Sequence, residues 1–351
     1  MELSNIIFSI SLLIVSFFFN KYLLSIFYNS KYNFLVDKDY KKPQAFHEKN
    51  TYRLGGITIF FSLSLSFLFL SFSKNIYFSE YTSFCTLFFL LGLLDDIRIK
   101  ILPKFRLGVM ALLLILLVAF NDLYIEKSGL EFLNHLLEID IFAFFFIILC
   151  FLFIINGSNL IDGFNGLLSI HAIIIFSILF FINLINENNE ISYVLFFIIF
   201  SLLIFLKFNF PRAQMFLGDS GAYLCGALIS VSVIKTSIIN STISPFFFCV
   251  LLIYLFFEVF FSFFRKIFFA KQSPLLPDDK HLHMNFYKFL LKRNKSKLNS
   301  NYQVSIYINV IYFLLIIPAI VFMDNGLFCR YYFFFLFAVY LYFYRVFSKN
   351  F

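Results

Sequence analysis

Long apolar runs separated by short polar segments recur along the whole chain. A run of about 17 to 25 apolar residues is long enough for a helix to cross a bilayer. We predict eleven such helices, with approximate bounds at residues 5–28, 55–73, 77–94, 107–121, 140–158, 167–185, 191–208, 216–234, 244–264, 305–323 and 327–346. The pattern therefore predicts an all-α polytopic membrane protein.

The composition supports a membrane protein and excludes a soluble globular domain. Of the 351 residues, 61% are hydrophobic and 14% are charged, and the mean hydropathy is +0.88. These values lie outside the range of soluble proteins. The longest predicted loops, residues 29–54 and 265–304, are too short for a separate soluble domain. We therefore interpret residues 1–351 as one integral-membrane domain.

Positive charge is distributed unequally between alternate loops. Of the 28 Lys and Arg residues, only Lys74, Lys127, Lys235 and Arg330 fall in the loops of one side. The positive-inside rule predicts that the amino terminus is outside and that the carboxyl terminus is cytoplasmic. We expect the protein to lie in the cell inner (cytoplasmic) membrane. The net charge of +8 then belongs to cytoplasmic loops, which favours anionic headgroups and phosphates. We expect no nucleic-acid partner.

Polar residues interrupt the apolar pattern in five segments, and the predicted topology puts all five on the cytoplasmic side. The segments are PQAFHEKNTYRLGG (43–56), LGLLDDIRIKILPKFRLG (91–108), NGSNLIDGFNGL (156–167), FNFPRAQMFLGDSGA (208–222) and SPLLPDDKHLHM (273–284). Acids, amides, glycines and imidazoles thus reach one face of the membrane.

Asp95 and Asp96 close the third predicted helix. A solvated helix end would explain one polar stop signal. Negative charge at a helix C-terminus, however, opposes the helix dipole. Two adjacent acids there need a cation, a proton or a basic partner to stabilise them.

In the third polar segment, Asn156, Asn159, Asp162 and Asn165 recur at every third position. This spacing puts them close to one face of a helix, and the glycines between them allow a ligand to approach the backbone. A glycine-rich helix interface joined by amides is the alternative. That alternative explains the glycines but not the carboxylate.

Asp219 lies between Gly218 and Gly221, where the eighth predicted helix begins. It could cap that helix, because Asp is favoured at the N-cap. It could also bind a hard cation such as Mg²⁺, together with phosphate oxygens and water.

His281 and His283 lie two residues apart in a basic loop, next to Lys280. The sequence offers no further ligands at zinc spacing. Phosphate contact or proton transfer suits these imidazoles better. Separated acids, a metal-competent Asp, histidines and basic loops together indicate phosphoryl transfer at the membrane surface.

The five segments, in this order, resemble the polyprenyl-phosphate N-acetylhexosamine-1-phosphate transferases, the superfamily of the WecA-type enzymes and MraY. The resemblance extends from about residue 43 to 284, and the HLH form of the histidine segment is closer to the WecA branch. It implies an enzyme dependent on Mg²⁺, with Mn²⁺ as an alternative. This enzyme would move an N-acetylhexosamine 1-phosphate from a UDP-sugar to a polyprenyl phosphate such as undecaprenyl phosphate, and would release UMP. The product would start a cell-surface glycan such as the O-antigen of lipopolysaccharide, and a homodimer is left open.

The resemblance also assigns roles to residues. Asp95, Asp96 and Asp162 would belong to the catalytic centre, with His281 and His283 near the sugar nucleotide's phosphates, and Asp219 would bind the metal. The implied substrate-binding residues are His47, Arg53, Asn156, Asn159, Asn165, Phe216 and Lys280, and the Phe216 ring is suited to stack on uracil.

Some positions depart from the family pattern. Asn165 replaces a frequent Asp, so we assign it hydrogen bonding rather than acid chemistry. Met284 replaces the last His of the histidine segment, and Asp279 occupies a position that is often basic, for which Lys280 and Arg265 are the candidates to compensate.

Two other functions stay open. One is the MraY-type transfer of phospho-MurNAc-pentapeptide, which differs in the sugar nucleotide. The other, from a different class, is a transporter or flippase. Transporters bind their cargo near the middle of the bilayer on broken helices, whereas the acids here are predicted at helix ends.

Overall fold

The computed structural model describes residues 3–29, 35–37, 51–74, 77–97, 99, 102–274, 276, 278–294 and 296–348. Its helices are α1 (Leu3–Asn29), α2 (Gly55–Lys74), α3 (Ser79–Asp96), α4 (Pro103–Phe120), α5 (Glu131–Leu137), α6 (Asp140–Ile161), α7 (Leu167–Ile185), α8 (Asn189–Asn209), α9 (Gly218–Ile239), α10 (Pro245–Leu251), α11 (Ile253–Phe264, continued by a π-helical turn, Arg265–Phe269), α12 (Leu282–Asn294), α13 (Lys297–Val321) and α14 (Gly326–Ser348). The strands are β1 (Val36–Asp37), β2 (Thr51–Arg53) and β3 (Met215–Phe216).

The apolar runs form long helices, which confirms a helical, multi-pass membrane protein. Among the described residues, nine helices are long and apolar enough to span a bilayer, and a bent pair makes a tenth. The remaining predicted span corresponds to α3, which carries three acids, Glu80, Asp95 and Asp96. The count of eleven and the orientation stay predictions.

The predicted ninth span, residues 244–264, is broken rather than continuous. The axes of α10 and of α11 with its π-helical turn differ by 74°. A break in a membrane helix frees backbone carbonyls, which must find other donors. The Tyr312 hydroxyl supplies one, because it donates to the Leu251 carbonyl oxygen at 2.5 Å.

Helix α9 forms the centre of the bundle. In the most apolar stretch of α9, 72% of the residues are buried inside the protein, a larger share than in any other candidate span of the described residues. It packs against α2, α3, α6 and α7. Gly92 lies where α3 crosses α9, and a Cβ atom there would overlap the Asp219 carbonyl oxygen and the Ser220 Cα. Only a residue without a side chain permits this close approach.

A three-stranded sheet, which the sequence analysis did not predict, lies at the start of α2 and α9. β1 pairs antiparallel with β2, and β2 pairs parallel with β3, so that Arg53 stands opposite Phe216. The Gly56 N–H also donates to the Leu217 carbonyl at 2.9 Å. The sheet therefore ties the start of α2 to the start of α9.

Replacing Gly92 by Ala tests the contact between α3 and α9. We expect the Gly92→Ala variant to lose about 1–3 kcal/mol of stability, because the added methyl group meets backbone that cannot move freely. Gly108→Ala is the matched control, since a Cβ at Gly108 meets no atom within 4 Å. Thermal unfolding in detergent compares the two. Equal melting temperatures for both variants would contradict this packing.

Candidate functional site

A cavity of about 600 Å³ lies at the end of the bundle where α3, α6 and α8 finish and α4 and α9 begin. Its volume is within the range of small-molecule sites. Each of the five polar segments contributes at least one lining residue. The polar and charged side chains of the lining are Asp37, Arg53, Arg106, Asn156, Asn159, Asp162, Asn165, Asn209, Asp219, Ser262, Lys266 and His281.

Asp96 binds the N-terminus of α9. Its Oδ1 accepts the Asp219 N–H at 2.9 Å, and its Oδ2 accepts the Ser220 N–H at 2.9 Å and the Ser220 hydroxyl at 2.6 Å. A carboxylate is favoured there, because the first N–H groups of a helix lack partners within it and the dipole is positive at that end. Asp96 therefore caps α9 from a neighbouring helix. The idea that Asp219 caps α9 is wrong, because Asp219 is the second residue of the helix.

Asp219 is held at the cavity by two partners. Its Oδ1 accepts the side-chain amide of Asn159 at 2.6 Å, and its Oδ2 lies 3.3 Å from the Arg53 guanidinium. Its side chain remains 24% exposed. The carboxylate is thus fixed in orientation and still accessible to a ligand.

Arg53 joins three carboxylates. Its guanidinium contacts Asp37 at 2.8 Å, Asp219 at 3.3 Å and Asp96 at 3.4 Å. Burial alone would lower the pKa of Arg53, but the charges of Asp219, Asp37 and Asp96 outweigh it and raise the pKa above its ordinary value. The site therefore contains a permanent positive charge among acids.

Asp95 and Asp96 do different things, although they are adjacent. Successive residues on an α-helix point about 100° apart, so Asp96 faces the N-terminus of α9, while Asp95 faces Arg106 of α4 and Tyr223, one turn further along α9. Asp95 Oδ2 accepts a hydrogen bond from Arg106 at 3.0 Å and lies 3.4 Å from the Tyr223 hydroxyl. Arg106 itself lines the cavity. Asp95 therefore reaches the site through Arg106.

The end of α6 supplies the amides and another acid. Asp162 follows the last helical residue and lines the cavity. Burial raises the pKa of Asp162 well above its ordinary value, and the charges of Asp219 and Asp96 raise it further. Asn156 and Asn159 are one turn apart on the same wall. The acids of this cavity thus oppose one another's ionisation, which favours a bound cation or proton.

Asn165 lines the cavity and also holds the following turn. Its backbone N–H donates to Asn301 Oδ1 at 2.9 Å, and its side-chain amide donates to the Pro211 carbonyl at 3.0 Å. Gly166 comes next, with a left-handed φ of 78°. These contacts connect the turn after α6 to α13 and to the segment after α8.

The two histidines are placed differently. His281 lines the cavity, while its Nδ1 lies 2.8 Å from Glu258 and its Nε2 lies 3.4 Å from Asp278. His283 is fully buried, with its Nδ1 3.2 Å from the Tyr254 hydroxyl. Burial lowers the pKa of His283, although Glu258 opposes the shift. A neutral imidazole is expected there, which suits packing better than contact with a phosphate.

The remaining predicted residues lie at the edge of the site or beyond it. Phe216 lines the cavity, and the Lys280 side chain is exposed. Asp279 pairs with Lys288 at 2.7 Å, and Arg265 binds Asp278 at 2.6 Å. Burial raises the pKa of Asp278, but the hydrogen bond from Arg265 and the charges of His281, Arg265 and Lys266 together outweigh burial, so the pKa is lowered. His47 lies outside the described residues.

The residues of the site that were missed from the sequence include Asp37, Arg106, Lys266 and Glu258. Arg106 and Lys266 are only two of many basic residues in the predicted loops, and no motif marks Asp37. Glu258 carried a usable signal, since it is the only acid between residues 241 and 277. An ionisable residue inside an apolar span is costly and marks a functional position.

Fold and cavity together define a multi-pass membrane protein with a polar, highly charged site at one end of its helices. Comparison with known proteins identifies the family. A family model described as glycosyl transferase family 4 matches residues 79–237. The undecaprenyl-phosphate alpha-N-acetylglucosaminyl 1-phosphate transferase of Thermotoga maritima is 31% identical over 273 residues, which cover 78% of this chain and 79% of that relative. The chain belongs to glycosyl transferase family 4, which confirms the resemblance.

Other relatives carry two kinds of name. The probable undecaprenyl-phosphate N-acetylglucosaminyl 1-phosphate transferase of Bacillus subtilis is 27% identical over 267 residues, which cover 74% of this chain and 72% of that relative. The phospho-N-acetylmuramoyl-pentapeptide-transferase of Listeria monocytogenes is 32% identical over 207 residues, which cover 54% of this chain and 63% of that relative.

The two aspartates can be separated by mutation. We expect Asp96→Ala to lower the free energy of unfolding by about 3 kcal/mol, because it leaves Arg53 and two N–H groups without their shared partner. Asp95→Ala is the matched control, with an expected loss of about 1 kcal/mol. Thermal unfolding in detergent, followed by circular dichroism, measures both. A greater loss for Asp95→Ala would contradict the capping role of Asp96.

Proposed function

We propose that this protein transfers an N-acetylhexosamine 1-phosphate from a UDP-sugar to undecaprenyl phosphate or a similar polyprenyl phosphate, and releases UMP. The observation that carries the proposal is the mixed lining of the cavity. Arg53, Arg106, Asp162 and Asp219 line it together with apolar residues. The apolar part of the wall includes Leu107, Met110, Leu149, Leu152, Phe153, Val259 and Phe263. A polar sugar nucleotide and the head of a lipid phosphate suit such a cavity, and the names of the relatives support this reaction.

The proposal includes the predicted membrane arrangement. Eleven spans, an external amino terminus and a cytoplasmic site would give the enzyme access to UDP-sugars inside the cell and to lipid carriers of the inner membrane. The distribution of Lys and Arg supports this orientation.

The cation of the proposal is Mg²⁺, with Mn²⁺ as an alternative. Within the described residues, no three His, Cys, Asp or Glu side chains converge as a closed metal cage. Mg²⁺ does not need one, because it usually binds one or two carboxylates together with substrate phosphates and water. Asp219, with Asp162 on the same cavity wall, offers the oxygen donors that it prefers. When bound, the cation would neutralise the diphosphate and favour the departure of UMP.

Separate groups of residues then act on the acceptor and on the donor. An oxygen of the lipid phosphate attacks the β-phosphorus, and the bond from that phosphorus to the bridging oxygen breaks, so that UMP leaves with this oxygen. Arg106 binds the lipid phosphate beside the apolar wall, and Asp95 orients Arg106. The acceptor phosphate is already largely deprotonated near neutral pH, so alignment and charge neutralisation matter more than a base.

The remaining residues of the site bind the donor, the UDP-sugar. The Asn156 and Asn159 amides hydrogen-bond the donor, Phe216 stacks on uracil, and His281 contacts the diphosphate. Asn159 also orients Asp219.

The MraY-type reaction is the second candidate, because the Listeria relative carries that name. It uses the same phosphoryl chemistry with a larger sugar nucleotide. A transporter is less well supported, since the charged residues cluster where helices end and begin rather than at mid-span.

The direct test is turnover with purified protein. We expect UMP release with undecaprenyl phosphate, Mg²⁺ and one member of a panel of UDP-N-acetylhexosamines, and no release after chelation by EDTA until Mg²⁺ or Mn²⁺ is restored. Asp219→Asn should lower kcat at least a hundredfold, because the amide keeps the shape but loses the charge, a loss of about 3 kcal/mol of transition-state stabilisation.

Two controls complete this test. Gly108→Ala should turn over at the wild-type rate, and UDP-MurNAc-pentapeptide in the panel decides between the two candidate reactions. No turnover with any sugar nucleotide, in an assay where the Thermotoga relative is active, would contradict the proposal.

A further inference from the structure

A buried carboxylate on α11 contacts both histidines of the site. Glu258 is fully buried, and it lies one helical turn from Tyr254, on the same face of α11. Its Oε2 is 2.8 Å from Nδ1 of His281, and its Oε1 is 3.6 Å from Nδ1 of His283. The two imidazole rings are nearly parallel, with centroids 5.4 Å apart. The carboxylate thus holds the pair from one side.

The 2.8 Å contact determines where the proton of His281 lies. An ionised carboxylate only accepts hydrogen bonds, so Nδ1 of His281 must carry the hydrogen. The other ring nitrogen, Nε2, lies 3.4 Å from Asp278, and His281 lines the cavity. A carboxylate bonded to one nitrogen of a histidine fixes both its tautomer and its ring orientation.

The cost of burial argues against an accidental contact. A carboxylate without solvent is destabilised unless charge or hydrogen bonds compensate it. Glu258 is the only acid in a 37-residue stretch of mostly apolar sequence, from residue 241 to 277. Hydrophobic residues of the same size would pack α11 at a lower cost.

We propose that Glu258 is a positioning residue: it accepts the Nδ1–H of His281 and so directs Nε2 at a phosphate oxygen of the bound sugar nucleotide, to which the doubly protonated ring donates its Nε2–H. The proposal rests on the proposed function for the identity of that ligand. Glu258 itself does not touch the substrate. It acts through His281 alone, so its effect disappears when His281 is absent.

A double-mutant cycle tests this dependence. Glu258→Gln should lower kcat about tenfold to a hundredfold, the range found for residues that orient a functional histidine, and should change the KM values less than threefold. His281→Ala should lower kcat by at least as much. The double variant should equal His281→Ala, because the two residues act as one unit. Losses that multiply, or a wild-type kcat in Glu258→Gln, would overturn the proposal.

Two variants separate positioning from stability. Glu258→Asp keeps the charge and should recover part of the kcat lost in Glu258→Gln. Glu80→Gln is the matched control, because Glu80 is also buried in a helix and pairs with Lys235 at 2.7 Å away from the cavity. It should lower the melting temperature without lowering kcat. If Glu258→Asp recovers nothing while its melting temperature is normal, the proposal is wrong.

An NMR measurement that does not depend on turnover separates a failure of this proposal from a failure of the proposed function. In protein labelled with ¹⁵N-histidine, and assigned with His281→Ala, the Nδ1 signal of His281 should be that of a protonated nitrogen and should change in Glu258→Gln. An unprotonated Nδ1 in the wild type would overturn the proposal even if the enzyme turns over. A protonated Nδ1 in a protein without turnover would contradict the proposed function only.

Discussion

The hydrogen bonds between Asp96 and the N-terminus of α9 are the interaction on which the rest of the site depends. They join the end of α3 to the start of the most buried helix in the described part of the chain, and they leave Asp219 in the first turn, facing the cavity. Gly92 permits the approach, since any side chain there would overlap the backbone of α9. Arg53 lies within 3.4 Å of both Asp96 and Asp219. One buried carboxylate therefore positions both the accessible acid and its cationic neighbour.

This arrangement concentrates negative charge where the proposed polyanionic substrate would bind. Asp37, Asp96 and Asp219 surround Arg53, and burial with neighbouring acids raises the pKa of Asp162. Such a site would repel phosphates unless a cation accompanied them, which is the physical reason why the proposed reaction includes Mg²⁺. In the proposed reaction, Arg106, next to apolar lining residues, would bind the lipid phosphate. The mixed lining of the cavity would then allow one site to bind a nucleotide and a lipid.

Much of the fold could be predicted from the sequence because bilayer thickness imposes long apolar runs, and the five polar segments do meet at one cavity. Contacts between elements that are far apart in the sequence could not be predicted. The strands contain two or three residues each, so their pairing depends on partners far along the chain. The different tasks of Asp95 and Asp96 depend on how α3 is rotated against its neighbours. The break at Leu252 has no Gly or Pro beside it. Glu258 was conspicuous in the sequence, but its partners lie on another segment.

The most direct measurement follows the phosphorus atom. Purified protein is given undecaprenyl phosphate, Mg²⁺ and a UDP-N-acetylhexosamine that carries ³²P in its β-phosphate, and the lipid and aqueous fractions are counted. The account predicts that the label enters the lipid fraction while unlabelled UMP appears in the water. Label that stays with the nucleotide as UDP, while the sugar alone moves to the lipid, would contradict the transfer of a sugar 1-phosphate.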